Sequence, residues 1–337
     1  TLAGCSGAGY VAQSLKGRAG IMASRQSVSR LISDPSTPAE LRARMEAASA
    51  MRQFASDELD LPDNASYRSY VDIGRDYVTI AVYAAPEFSL TPTIWCFPVF
   101  GCVPYRGYFS RGAVAKTVRE LQQQGLNVHV TGITAYSTLG WSADPLLSTM
   151  FAQDRTYLAS LVFHELAHQR VYVNNDTAFN EAFAVAVEMT GVRKWLKIEN
   201  DAAALARYEA GLKRNAEFLE LVAKTKRELA QIYATPATAE RKRAEKAAAI
   251  ERLRTRYRRM RDESWGSFAG YDNWVEGPVN NAKLAATSVY NDLVPAFLRL
   301  FDLCSRDYPR FYAAVGRLGR LPKDGRAEAL LSARSCG

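Results

Sequence analysis

His164, Glu165 and His168 fall within one helical turn of the run Phe163-His164-Glu165-Leu166-Ala167-His168-Gln169. On an α-helix, residues four apart share a face, so the two imidazoles present side by side at a separation that suits one Zn²⁺. Glu165 projects beside them and is the expected general base on a zinc-bound water, the arrangement used in metal-assisted peptide hydrolysis. The ion would bring the pKa of that water towards about 7 and polarise the scissile carbonyl. The chain has three histidines, and this motif takes two of them. The flanking residues 157–163 are mostly apolar, so the helix is expected to be buried. A polar triplet there is costly unless it binds something.

A catalytic zinc site needs a third protein ligand and an open position. His129 lies in an alternating segment, on the face opposite Val128 and Val130, and reads as a surface or supporting residue. The third ligand is therefore expected to be a carboxylate, and two follow closely. Twelve residues separate His168 from Glu181, and nineteen separate it from Glu188. Counting alone favours Glu188, whose spacing matches thermolysin-like peptidases, whereas helix geometry favours Glu181. If 171–176 turn the chain between antiparallel helices, Glu181 is level with the gap between His164 and His168. Glu188 would then sit roughly 7–10 Å further along the axis, at about 1.5 Å per residue. On this geometry Glu181 is the metal ligand, and Glu188 accepts a hydrogen bond from the far nitrogen of a ligand imidazole.

The elements that must hold these residues read as α+β, mostly α, with a small sheet. Helical character covers 10–60, where Thr37-Pro38-Ala39-Glu40 reads as a capping box with Pro at the first helical position. Residues 77–83 and 127–134 alternate and are rich in β-branched side chains, which predicts strands. A helix over 111–124 should end at Gly125. From 154 onward helices dominate, at 154–171, 177–196, 279–303 and 307–320, with Asp176-Thr177 as the N-terminal cap of the second. A long antiparallel helical hairpin is expected as an insertion at about 199–263. Its stripes are Leu212, Leu219, Val222 and Leu229 on one arm and Ile250, Leu253, Tyr257 and Met260 on the other. Residues 10–337 are expected to form one catalytic domain, with 1–9 as a tether.

The blocks His-Glu-Leu-Ala-His-Gln at 164–169 and Asn-Glu-Ala-Phe-Ala at 180–184 resemble those of gluzincin aminopeptidases. The resemblance maps that family's third zinc ligand onto Glu181 and its following glutamate onto Glu188. Three further stretches extend the likeness: Val103-Pro104-Tyr105-Arg106-Gly107-Tyr108-Phe109, Ala135-Tyr136-Ser137-Thr138-Leu139-Gly140-Trp141, and 280–297. With them, most of the chain, about 70–330, resembles a bacterial family of zinc aminopeptidases, many of them lipoproteins. That resemblance implies a zincin-like fold, one Zn²⁺ per chain, a peptide substrate and aminopeptidase action. By the same resemblance Tyr290 is the expected oxyanion donor, with Tyr136 as its rival. Alternatively 135–139 form an edge strand that pairs with the substrate backbone. No Gly-x-Met-Glu-Asn motif is present, so exopeptidase and endopeptidase action both remain open.

Leu2-Ala3-Gly4-Cys5 resembles the lipobox of bacterial lipoproteins, in which cleavage leaves Cys5 as the lipidated first residue. The absence of an initiator Met fits a segment removed upstream. Acyl chains would then anchor the protein to the membrane, and by resemblance to enteric lipoproteins Ser6 rather than Asp implies a periplasm-facing position on the outer membrane. Export would permit disulfides. Cys96 and Cys102 flank a turn-like loop short enough to bridge, and Cys304 and Cys336 pair by elimination. No run approaches the roughly 20 apolar residues of a membrane span. The net charge of +8 is moderate, and the Lys/Arg run at 241–261 comes with no nucleic-acid module, so it reads as a solvated helix face. The expected function is zinc-dependent peptide hydrolysis. The alternative is a non-catalytic envelope adaptor of the same fold that binds a protein partner through the hairpin, which an intact Glu165 argues against.

Overall fold

The two alternating segments pair with each other in an eight-residue antiparallel ladder, with Thr79 opposite Ile133 and Pro86 opposite Leu126. The computed structural model describes residues 17, 19–97, 101–135, 138, 142–287 and 293–337. Its first elements are β1 (Gln26–Ser27), α1 (Val28–Ser33), α2 (Ala39–Asp57), β2 (Ser69–Val71) and β3 (Thr79–Pro86). Next come β4 (Trp95–Phe97), β5 (Gly101–Val103), β6 (Arg106–Tyr108), α3 (Arg111–Gln123), β7 (Leu126–Ile133) and β8 (Leu146–Leu147). Helices follow: α4 (Arg155–Arg170), α5 (Thr177–Ile198), α6 (Ala202–Ala234), α7 (Ala239–Glu263) and α8 (Asp272–Val275). The last are α9 (Asn281–Ala286), α10 (Val294–Leu303), α11 (Tyr308–Gly319) and α12 (Lys323–Ser332). The chain is α+β and mostly helical. It divides into two compact units, one of Arg18–Val78, Thr134–Tyr208 and Tyr290–Gly337, the other of Thr1–Gly17, Thr79–Ile133 and Glu209–Val289.

The first unit carries the histidine motif. Asp154 caps α4 by accepting from the Tyr157 amide at 3.0 Å, and Asp176 caps α5 from the Phe179 amide at 3.2 Å. In α5, Phe179, Ala182, Phe183, Ala186 and Val187 are all buried. This is the i, i+3, i+4, i+7, i+8 stripe of a helix that faces a core. Phe183 meets Phe297 of α10 and Phe311 and Tyr312 of α11, with ring centroids 5.8–6.0 Å apart. Such aromatic contacts add to the burial that fixes the helix. On the other side α5 approaches α4 closely at Gly191. A Cβ there would lie 2.7 Å from Leu59 Cδ1 and 3.0 Å from Phe163 Cδ2. A disulfide between Cys304 and Cys336 ties the C-terminus to the end of α10. The small sheet β1-β2-β8 pairs β2 antiparallel to β1 and parallel to β8.

The second unit is built on the sheet β6-β3-β7, antiparallel throughout. Val82 and Ala84 on one face of β3 pack with Tyr108 and with Val114 and Leu121 of α3, which ends before Gly125 at φ 75°. That positive φ is readily reached by glycine and suits a C′ residue. Asn281 of α9, fully buried, donates to Pro86 O and Glu87 O and accepts from the Tyr233 hydroxyl. Such paired amide contacts satisfy a side chain that would otherwise be costly to bury. The hairpin β4–β5 is closed by the Cys96–Cys102 disulfide.

In the same unit, contacts between α6 and the α7 region step in opposite directions. Lys242 Nζ meets Tyr233 O at 2.9 Å, Arg252 Nε meets Glu228 at 2.8 Å, and Trp265 Nε1 meets Glu217 at 2.6 Å. Val222 and Leu229 face Ile250, Leu253 and Tyr257 in a shared core. Leu212 and Leu219 are only half-buried, and Phe218 and Leu221 take the core positions instead. The basic run is exposed, as expected of a solvated face, and it is also paired. Arg243 grips Glu87 through two nitrogens, Arg258 does the same to Glu276, and Arg252 binds Glu228.

Several predicted boundaries change. The helical stretch read over 10–60 is interrupted by β1 and by 34–38, since Ser27 caps α1 and Pro38 is the N-cap of α2 without a side-chain cap. The Thr37–Glu40 capping box is therefore not formed. The helix expected over 279–303 is two helices, because Pro295 in the first turn of α10 is suited to a new start and not to a helix interior. The helices α8 and α12 were not predicted. Lys323–Ser332 includes a glycine and lacks a clear apolar stripe, so its periodicity is weak.

Candidate metal centre

The turn between α4 and α5 brings the two halves of the site together. Asn175 takes a positive φ of 62°, and the chain reverses. Asn180, one residue before Glu181, clamps this turn from α5. Its Oδ1 accepts from the Val173 amide at 2.9 Å, and its Nδ2 donates to Val173 O at 2.8 Å. Asp176 is held from the far end of the chain by the buried Arg326, whose guanidinium also donates to Gly319 O and Leu321 O. Arg326 lies over the Phe179 ring as well, 5.4 Å from its centroid. On the α4 side, Gln169 accepts from Asn64 at 2.8 Å. The buried Arg52 fixes that loop by donating to Ser66 O at 3.0 Å and to Pro62 O.

Three donor atoms converge on one point. His168 Nε2 lies 3.2 Å from His164 Nε2, and Glu181 reaches the two imidazoles at 3.3 and 3.6 Å. Ligands held at about 2.0–2.1 Å from a tetrahedral zinc would stand roughly 3.3–3.4 Å apart. The observed separations of 3.2–3.6 Å match that edge length, so the residues fit the group. His164, His168 and Glu181 could hold a metal ion. Glu188, two turns further along α5, lies 3.2 Å from His164 Nδ1. A proton on Nδ1 leaves the Nε2 lone pair directed at the shared point. His168 is only 5% exposed, and its Nδ1 has no partner among the described residues.

The electrostatics suit a bound cation. Burial opposes charge on His164, but hydrogen bonds to Glu181 and Glu188 and the nearby Glu165 outweigh it and lift the pKa to about 10. Burial, helped by the charge on His164 and opposed by Glu181, pushes His168 down to about 4. Burial alone would raise Glu181, yet the His164 hydrogen bond and the two imidazoles bring it below its ordinary value. Glu165, half-buried, follows His164 on the same helix.

His129 belongs to β7 of the other unit, opposite Tyr83, and is not part of this group. Burial, with the Lys283 charge, lowers its pKa to about 4. Cys5, Tyr136 and Tyr290 lie outside the described residues. Of the stretch 135–139, Thr138 is described in its contacts, and its amide donates to Asp144 at 2.8 Å. Asn180 and Arg326 were not singled out by sequence. Asn180 could have been, since an Asn inside a helical stripe next to a ligand glutamate competes with the helix unless it has another partner. Arg326 carried no such signal.

A family model described as "Putative aminopeptidase" matches residues 9–330. No curated protein and no solved structure matches the chain.

Proposed function

The chain belongs to this aminopeptidase family, and from that premise we propose that it is a zinc-dependent peptide hydrolase of zincin-like fold. The observation that carries the reading is the meeting of two imidazole nitrogens and one carboxylate at tetrahedral-edge distances, beside Glu165. His164, His168 and Glu181 hold the ion. When bound, zinc supplies Lewis acidity that polarises the scissile carbonyl and makes water a better nucleophile near neutral pH. Glu165 takes the proton from the attacking water and returns it to the departing amine, as a general base and then a general acid. Glu188 keeps the His164 proton on Nδ1 and fixes the plane of the ring. Tyr290 is the proposed oxyanion donor, and the pair α6–α7 is a helical hairpin inserted in the catalytic fold.

Hydrolysis of a peptide library by the purified protein tests this reading. Activity is expected with one Zn²⁺ per chain, loss on chelation, and recovery on adding zinc. A protein that takes up one zinc per chain and cleaves no peptide would reject it.

The likeness of Leu2-Ala3-Gly4-Cys5 to a lipobox supports lipid anchoring at Cys5 on the periplasmic face of a bacterial envelope, and the resemblance to enteric lipoproteins at Ser6 favours the outer membrane. Intact-mass analysis of membrane-extracted protein should show Cys5 as the acylated first residue. An unmodified Cys5 thiol would rule the anchor out.

A further inference from the structure

A cavity of about 550 Å³ opens where the chain leaves α4, between 170–174 and the exposed side of α11. It starts one ring away from the metal centre. Tyr172, 48% exposed, lines the cavity and stands edge-on to His168, with centroids 6.3 Å apart. An extended peptide advances about 3.3–3.6 Å per residue, so a substrate held at the trio can reach this space within a few residues.

Its charge is one-sided. Two arginines line it, and among the described lining residues there is no acid. Arg170 is already answered by Asp60 at 2.7 Å and packs on the Tyr312 ring. The Arg320 side chain has no hydrogen bond or ion pair among the described residues, although it lines the cavity. Lys323 brings a further positive charge beside the lining residue Asn174, donating to Asn175 O at 3.2 Å. The carbonyls at this end of α11 do not set a competing negative potential unopposed, since Gly319 O and Leu321 O accept from Arg326.

The wall of the cavity is also cut back. A Cβ at Gly319 would meet Val173 at 3.0 Å, so that glycine permits packing. A Cβ at Gly316 would meet nothing within 4 Å. Glycine is a poor helix former, and here its missing side chain leaves open space instead of a tight contact.

We propose that this cavity is a subsite for a carboxylate of the peptide substrate, with Arg320 as its counter-ion and Tyr172 as the wall that separates it from the metal. The proposal deepens the peptidase reading and rests on it for the word substrate. The carboxylate comes either from an acidic side chain near the reacting bond or from the C-terminus of a short peptide.

The test uses alanine pentapeptide amides with Glu or Gln at each position in turn, and an alanine tripeptide as free acid or amide. Binding is measured calorimetrically to the zinc-loaded Glu165→Gln protein, and kcat/KM is measured with the unsubstituted protein. One carboxylate member is expected to bind about tenfold tighter than its neutral partner, the effect of one charge-assisted hydrogen bond. Preference in the Glu/Gln series assigns a side-chain carboxylate, and preference in the acid/amide pair assigns the C-terminus. Arg320→Gln should bring that ratio close to one, with zinc content retained as the check on folding. Gly316→Phe should weaken both members by filling the cavity. A ratio near one for every pair, or a ratio that survives Arg320→Gln, overturns the proposal. An Arg320-dependent ratio in binding without any peptide cleavage supports the carboxylate site and removes the peptidase reading.

Discussion

Replacing Glu165 by Gln is expected to leave one zinc per chain in place while peptide turnover falls about 10²–10⁴-fold, the usual loss of a general base. The separation of binding from turnover follows from placement. The donor atoms that converge belong to His164, His168 and Glu181, and Glu165 is not among them. Glutamine keeps the length and most of the shape of the side chain, so α4 and its cap at Asp154 are undisturbed. What it cannot do is accept a proton from water and return it to the amine. Zinc content by elemental analysis and kcat on one cleaved peptide, taken on the same preparation, give the result. Turnover within a few-fold of the unsubstituted protein would place the base elsewhere.

The second large effect separates the two glutamates of α5. Glu181→Ala should collapse zinc affinity, because it removes one of the three donors that converge among the described residues. Glu188→Ala should cost about 10–100-fold, the range for a group that orients a ligand from behind. The geometry behind this is unequal. Glu181 faces both Nε2 atoms, at 3.3 and 3.6 Å, whereas Glu188 is 3.2 Å from the far nitrogen of His164. Loss of Glu188 frees the ring to rotate or to carry its proton on the wrong nitrogen but leaves the donors present. Zinc affinities from competition with a chromophoric chelator, compared at one pH, decide it. If Glu188→Ala strips the metal and Glu181→Ala retains it, the assignment of ligand and supporting residue is reversed.

The local part of this site was legible in the residues alone. Two histidines four apart must share a helical face, Asp176-Thr177 marks where the second helix begins, and the apolar flank at 157–163 shows that the first is buried. Those relations depend on neighbours in sequence, through a fixed 3.6-residue period, and so they need no knowledge of the fold. The choice between Glu181 and Glu188 is of another kind. It turns on how tightly 171–176 reverse the chain, and the two spacings gave opposite answers until a turn was assumed. In the structure the turn is set by Asn180 clamping Val173, by Asn175 at positive φ, and by Gly191 letting α5 approach Leu59 and Phe163. The hold of Arg326 on Asp176 joins residues 150 apart in sequence, so no local pattern could announce it. The same limit applies to the cavity beside Tyr172, whose walls come from 170–174 and 309–320. Side-chain type and helical period fix which groups can share a face. Distances between groups on different helices are fixed by packing and turns, and only the tertiary structure contains them.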